Sequence, residues 1–192
     1  MKDPYRFYVN LLSPIVRLIF PCKTSGLEKI PEGPALVCAN HSHLTDPVII
    51  AIHFGWKRRL FFMAKAELFK IPILKNILFS VGAFPVNRGE TDINSIRTAM
   101  KHLKAGEKVM LFPEGTRVSE NEAVAAKTGA VRIAAKTGAN IVPVYLTNGS
   151  KVFRHSDLVV GDPFVFTPPK DKNYEPLAKE LMESIYNLEP GK

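Results

Sequence analysis

Five short apolar runs, each bounded by turn or polar residues, recur at residues 35–39, 60–64, 83–86, 109–112 and 141–146. Runs of this length flanked by Gly, Pro, Asn or Lys read as strands covered on both faces. Helical patterns fill the gaps. In residues 92–104, Ile93, Ile96, Met100 and Leu103 fall on one helical face, and Gly106 follows as a stop. Residues 128–137, ending at Gly138, and residues 174–188 are further helix candidates. Strands alternating with helices predict an α/β fold: a largely parallel, curved sheet wrapped by helices. Within the last run, Pro143 predicts an edge strand or a bulge, since proline cannot donate to a ladder. With 192 residues and no internal repeat, residues 27–192 are expected to form a single domain.

Residues 1–26 are read as a separate N-terminal helical segment. Between residues 5 and 20 the polar residues are Arg6, Asn10, Ser13 and Arg17, one narrow stripe on a helix that is otherwise apolar. Sixteen residues span roughly 24 Å, short of a hydrocarbon core of roughly 30 Å, and two arginines interrupt the stretch. The helix is therefore expected to lie amphipathically at a membrane interface, the alternative being packing on the domain's own core. Pro14 is expected to kink it. Charge supports a membrane surface. Of a net +8, a balance of +7 falls within residues 57–108, mixed there with aliphatic and aromatic residues. A nucleic-acid surface would instead show a continuous basic stripe with stacking aromatics, so no nucleic-acid partner is expected. The two cysteines, Cys22 and Cys38, support neither a disulfide framework nor a zinc site, and the N-terminus lacks the features of a secretion signal.

Two loops carry the residues suited to chemistry. After the first run comes Asn40-His41-Ser42-His43-Leu44-Thr45-Asp46-Pro47. Histidine accepts protons near neutral pH, and a carboxylate can orient its ring. His41 and Asp46 suit those roles but meet only if the chain turns between strand and helix. The plain alternative is a loop histidine beside an Asp46 that caps the helix opened by Pro47. His43 competes for the role of base, and Asn40, His41 and His43 lack a further ligand at zinc-like spacing, so no metal is expected. The second loop is Phe112-Pro113-Glu114-Gly115-Thr116-Arg117, again after a strand. There Glu114 could bond a substrate hydroxyl, Gly115 permits close backbone approach, and Arg117 offers a fork for phosphate. Arg88, after residues 83–86, and Lys65, after residues 60–64, are further strand-end cations. In a parallel sheet such loops face one crevice.

Taken in order, NHSHLTDP, GAFPVNRG, FPEGTR and VPV resemble the motifs of the glycerolipid acyltransferases, most nearly the bacterial 1-acylglycerol-3-phosphate acyltransferases. The resemblance spans roughly residues 27–165. His43 stands where many members carry serine, and residues 118–122 lack the basic, serine-rich character common there; Lys-Thr-Gly-Ala at residues 127–130 does follow the family pattern. The resemblance implies acyl transfer from a thioester, acyl-CoA or acyl-acyl carrier protein, to the sn-2 hydroxyl of lysophosphatidic acid, giving phosphatidic acid without an acyl-enzyme or a cofactor. It implies His41 as general base, Asp46 as its orienting carboxylate, and Lys65, Arg88, Glu114, Gly115, Thr116 and Arg117 as substrate contacts. The partners would be anionic membrane lipids, and the location the cytoplasmic face of the cell membrane, held peripherally. Competing readings are the same chemistry on glycerol 3-phosphate or a lyso-aminolipid, a thioesterase or lipid hydrolase, and a non-enzymatic basic binding protein.

Overall fold

The computed structural model describes residues 3–87, 92–115, 127–147 and 152–191. Its strands are β1 (Cys22–Ser25), β2 (Ala35–Ala39), β3 (Leu60–Lys65), β4 (Ala83–Val86), β5 (Lys108–Leu111), β6 (Asn140–Leu146) and β7 (Ser156–Val160). Its helices are α1 (Pro4–Ile19), α2 (Asp46–Phe54), α3 (Pro72–Ser80), α4 (Ile93–Lys104), α5 (Gly129–Thr137) and α6 (Glu175–Tyr186). All seven strands form one sheet in the order β1-β7-β6-β2-β5-β3-β4, parallel except where β6 meets β7. The α/β architecture expected from the alternation is thus the one observed.

Both faces of the sheet are covered, which is why its central strands read as unbroken apolar runs. On one face Leu36, Cys38, Val109, Leu111 and Ile141 pack against Ala99 and Leu103 of α4, Val131 and Ile133 of α5, and Leu181 and Ile185 of α6. On the other, Val37, Met110, Val142 and Val144 pack against Ile49, Ile50 and Phe54 of α2. Strand-to-helix alternation places β2, β5 and β6 side by side, so their carboxyl ends form one rim.

Sequence and structure differ in four places. Residues 22–25, assigned from sequence to the N-terminal segment, join the sheet as β1 beside β7. α3 has no buried residue and so no readable core face. Pro143 lies in a central strand and not at an edge, while the bulge, the other expectation for it, is present. Three steps along β6, from Val144 to Ile141, meet four along the partner, from Val160 to Phe164, so an extra residue bulges where the proline cannot donate. Asp46, finally, does not cap α2: Thr45 holds the N-cap position, and Asp46 opens the helix with its carboxylate turned back into the preceding loop.

Helix α1 begins where Asp3 accepts the Tyr5 N–H and runs as one element through Pro14. One side packs on the domain. Tyr5 and Val9 bury against Ile52 of α2, and the Tyr5 hydroxyl accepts the Leu60 N–H at 3.3 Å. Another side leaves Phe7, Leu11, Ile15 and Leu18 more than half exposed, a stripe at helical spacing. No helix among the described residues is long and apolar enough to cross a membrane.

Candidate active site

Buried side chains hold His41 from three sides. Asn40, just past the end of β2, donates its amide to the Leu146 carbonyl (3.0 Å) and accepts the Leu146 N–H (2.8 Å). This extends the junction with β6 beyond the last strand pair and fixes the backbone from which His41 projects. Asn40, weighed from sequence as a metal ligand, thus commits both amide atoms to the sheet. The His41 N–H donates to the Glu114 carboxylate at 2.9 Å, and its ring stacks on Phe112 with centroids 4.1 Å apart.

The chain does turn between strand and helix, and the His41–Asp46 pair forms. His41 Nδ1 lies 3.1 Å from Asp46 Oδ2, with both residues buried. The same oxygen accepts the N–H groups of Ser42 (2.8 Å) and His43 (2.7 Å), so one carboxylate gathers the whole turn. A carboxylate only accepts, which assigns the proton to Nδ1 and leaves Nε2 of neutral His41 with the lone pair. His43 is exposed and bonds Asp46 through its backbone. Of the two histidines considered as base, the structure orients the ring of His41.

His41 lines a cavity of about 780 Å³ between the sheet and helices α4 and α5. Its lining combines apolar side chains (Met63, Ile96, Met100, Leu111 and Ile133) with the cations Lys127, Arg132 and Lys136 and the carboxylate of Asp92. The cavity thus offers both apolar surface and excess positive charge beside an oriented imidazole. Asn87 and Gly115 also line it. Arg88, Thr116 and Arg117 lie outside the described residues.

Glu114 has a different role from the one its position in sequence suggests. It is 1% exposed, and its second oxygen accepts the Tyr186 hydroxyl of α6 at 2.7 Å. Both oxygens thus hold protein donors rather than standing open to a substrate hydroxyl, and burial pushes the carboxyl above its usual range despite those donors. Tyr186, pushed up by its own burial and by Glu114, was invisible to sequence reading because 72 residues separate the partners. Gly115 does allow a close approach, but of a side chain: at its φ of 67°, an added Cβ would lie 2.6 Å from Lys127 Cδ. The Lys127 N–H in turn donates to the Pro113 carbonyl at 2.9 Å, tying the residues before α5 to this loop. Lys65 stands apart from the cavity lining, half exposed and paired with Glu67 at 3.4 Å.

An acyltransferase family model matches residues 22–147, a span that takes in β1 to β6 and both loops meeting at His41. The chain belongs to the acyltransferase family. This acyltransferase is 33% identical over 196 residues to the 1-acyl-sn-glycerol-3-phosphate acyltransferase of Bacillus subtilis, with 96% of each chain covered. It is 31% identical over 160 residues to a chloroplastic enzyme of the same name from Arabidopsis thaliana, where 78% of this chain meets 44% of the plant protein. The crystal structure of a 1-acyl-sn-glycerophosphate acyltransferase from Thermotoga maritima superimposes with a TM-score of 0.75 at 23% identity, covering 98% of this chain and 82% of that one. The shared architecture places the acyltransferase's two motif loops on the common rim of its sheet.

Proposed function

We propose that this acyltransferase moves a fatty acyl group from a thioester, acyl-CoA or acyl-acyl carrier protein, to the sn-2 hydroxyl of 1-acyl-sn-glycerol 3-phosphate, forming phosphatidic acid. The reading is carried by the imidazole of His41, oriented by Asp46 at the edge of a cavity lined, among the described residues, by apolar side chains and by three cations against one carboxylate. The relatives' names support the acceptor. His41 Nε2 takes the hydroxyl proton as that oxygen attacks the thioester carbonyl, and Asp46 stabilises the imidazolium. Collapse of the tetrahedral intermediate breaks the carbon–sulfur bond, and His41 returns its proton to the leaving thiolate. The acyl group passes directly between substrates, and no cofactor enters the sequence.

Glu114 and Asn40 act as positioning residues, since each fixes the backbone on either side of His41. Arg88 and Arg117, by their place in the motifs, grip the acceptor phosphate; Lys127, Arg132 and Lys136 add positive charge to the cavity wall that anionic substrates meet. The acceptor's own tail stays in lipid, so the enzyme works peripherally at the cytoplasmic membrane surface. The exposed stripe of Phe7, Leu11, Ile15 and Leu18 supports that placement.

The test is mass spectrometry of products from purified protein given lysophosphatidic acid with each thioester donor. Phosphatidic acid is expected from the native chain and none from His41→Ala. Free fatty acid without a new ester would make the protein a hydrolase, and ester formed on another acceptor alone would overturn the choice of lysophosphatidic acid.

A further inference from the structure

On the sheet face opposite the catalytic cavity, a recess of about 320 Å³ opens where α1 ends, β1 begins and α2 finishes. Its lining among the described residues is Arg17, Pro21, Cys22, Lys23, His53 and His155: four basic side chains and no acidic one. It lies outside the basic block of residues 57–108. Two backbone bonds brace it, from the Phe153 N–H to the Ile19 carbonyl (2.7 Å) and from the Ser156 N–H to the Pro21 carbonyl (3.0 Å).

His53 shows what the recess lacks. Its Nδ1 lies 2.9 Å from the Ile49 carbonyl, an acceptor only, so Nδ1 carries a proton and Nε2 becomes a second donor when the ring is charged. Burial, with the nearby Arg17 guanidinium, holds that ring below its usual pKa. The other groups around it are Lys23, His155 and Cys22, whose thiol is pushed up to about 11 by burial and by Asp157 on β7. An anion in the recess would relieve this crowding of positive charge.

The rim indicates which anion. Leu18 of α1 and Phe153, whose N–H bonds the carbonyl of Ile19, are both at least 70% exposed, and Val152 is also exposed. Phe153 holds a left-handed φ of 59°, costly for a bulky side chain, while presenting its ring to solvent. A free phosphate has no use for such a rim, whereas a lipid headgroup with its acyl chains does.

We propose that the recess binds the phosphate of an anionic membrane phospholipid, with Leu18, Val152 and Phe153 entering the acyl region beside it. The site rests on the reading of this acyltransferase as a membrane-surface enzyme, and it orients the protein by a lipid that is not being acylated. Binding of the full chain to phosphatidylcholine vesicles, with and without phosphatidylglycerol, tests it. Removing two cations from an anionic surface, each worth roughly fivefold, should weaken binding of Arg17→Gln/Lys23→Gln to the mixed vesicles roughly 25-fold. Binding to phosphatidylcholine alone, driven by the apolar stripe, should stay as in the native chain. Equal loss on both vesicle types, or loss on neither, overturns the site. In NMR titration, soluble dihexanoyl phosphatidylglycerol should raise the pKa of the His53 ring; an equal rise with inorganic phosphate assigns the recess to free phosphate and overturns the lipid. Transfer activity is measured separately, so absence of phosphatidic acid beside an intact vesicle effect rejects the proposed transfer to lysophosphatidic acid and leaves the headgroup site standing.

Discussion

Replacing Asp46 by Asn separates the two tasks of its carboxylate. When His41 is protonated, the charges face one another across 3.1 Å; at an effective dielectric constant of about 20 this attraction is about 5 kcal/mol, before desolvation is subtracted. A realised loss of about 4 kcal/mol corresponds to roughly a thousandfold in rate. The amide also weakens two backbone bonds, from Ser42 and His43, each falling from about 2 to about 1 kcal/mol as the acceptor loses its charge. For a chain of 192 residues, a loss of about 2 kcal/mol lowers the melting temperature by roughly 4–8 °C. Asp46→Asn should therefore keep its fold, melt several degrees early, and turn over roughly a thousand times more slowly with the KM for acceptor little changed. Initial-rate measurements with lysophosphatidic acid, beside thermal unfolding, check both figures. If melting falls as stated while kcat stays within about tenfold, Asp46 only braces the turn and the imidazolium argument is refuted.

Glu114→Gln keeps an acceptor for the His41 N–H and offers an amide donor to the Tyr186 hydroxyl. Because burial raises the Glu114 carboxyl above its unfolded value, the folded chain retains a proton that the unfolded chain has released, and stability falls as pH rises through that interval. Denaturant titrations from pH 4 upward, a start near the usual carboxylate range, should show this decline in the native protein and a flatter profile in Glu114→Gln. Tyr186→Phe leaves a buried carboxylate oxygen without its donor and should cost about 1–3 kcal/mol, read from urea midpoints, with kcat falling as well because His41 loses its brace. Asp92→Ala removes the oxygen that accepts the Asn94 and Ser95 N–H groups at the start of α4, a cap worth about 1 kcal/mol by chemical denaturation. Gly115→Ala brings a methyl against Lys127 at a left-handed φ, and should lower thermal stability more than an alanine at the open Gly33.

The legible part of this fold was the part buried on both faces. β2, with all five residues buried, is a central strand as its apolar run implied; α4 forms where the spacing predicted it, but its buried face is Ser95, Ala99 and Leu103, while Ile93 is 57% exposed. At the sheet's edge the signal fades: β1 reads Cys-Lys-Thr-Ser because only alternate positions are covered. α3 is equally silent, since it packs without burying any one face. In the site, residue type and the turn implied by Pro47 made His41 and Asp46 candidates beside the plainer reading of a helix cap, and the resemblance of the four motifs singled the pair out. The work of Glu114 was not legible, because its partners come from the loop after β2 and from α6, and no local pattern joins those segments. Lys65 misled for a related reason: a cation after a strand is well placed, but Glu67 two residues on engages it first.

The bond from Tyr186 to Glu114 also orders events in time. α6 follows both motif loops in the sequence, and the hydroxyl of its Tyr186 completes the clamp on the backbone of His41 through Glu114. A nascent polypeptide emerging from the ribosome would carry both motif loops well before this closing bolt exists. The backbone of His41 is thus clamped only once α6 has docked, and a molecule clipped ahead of Tyr186 would be left with a loosened turn between β2 and α2.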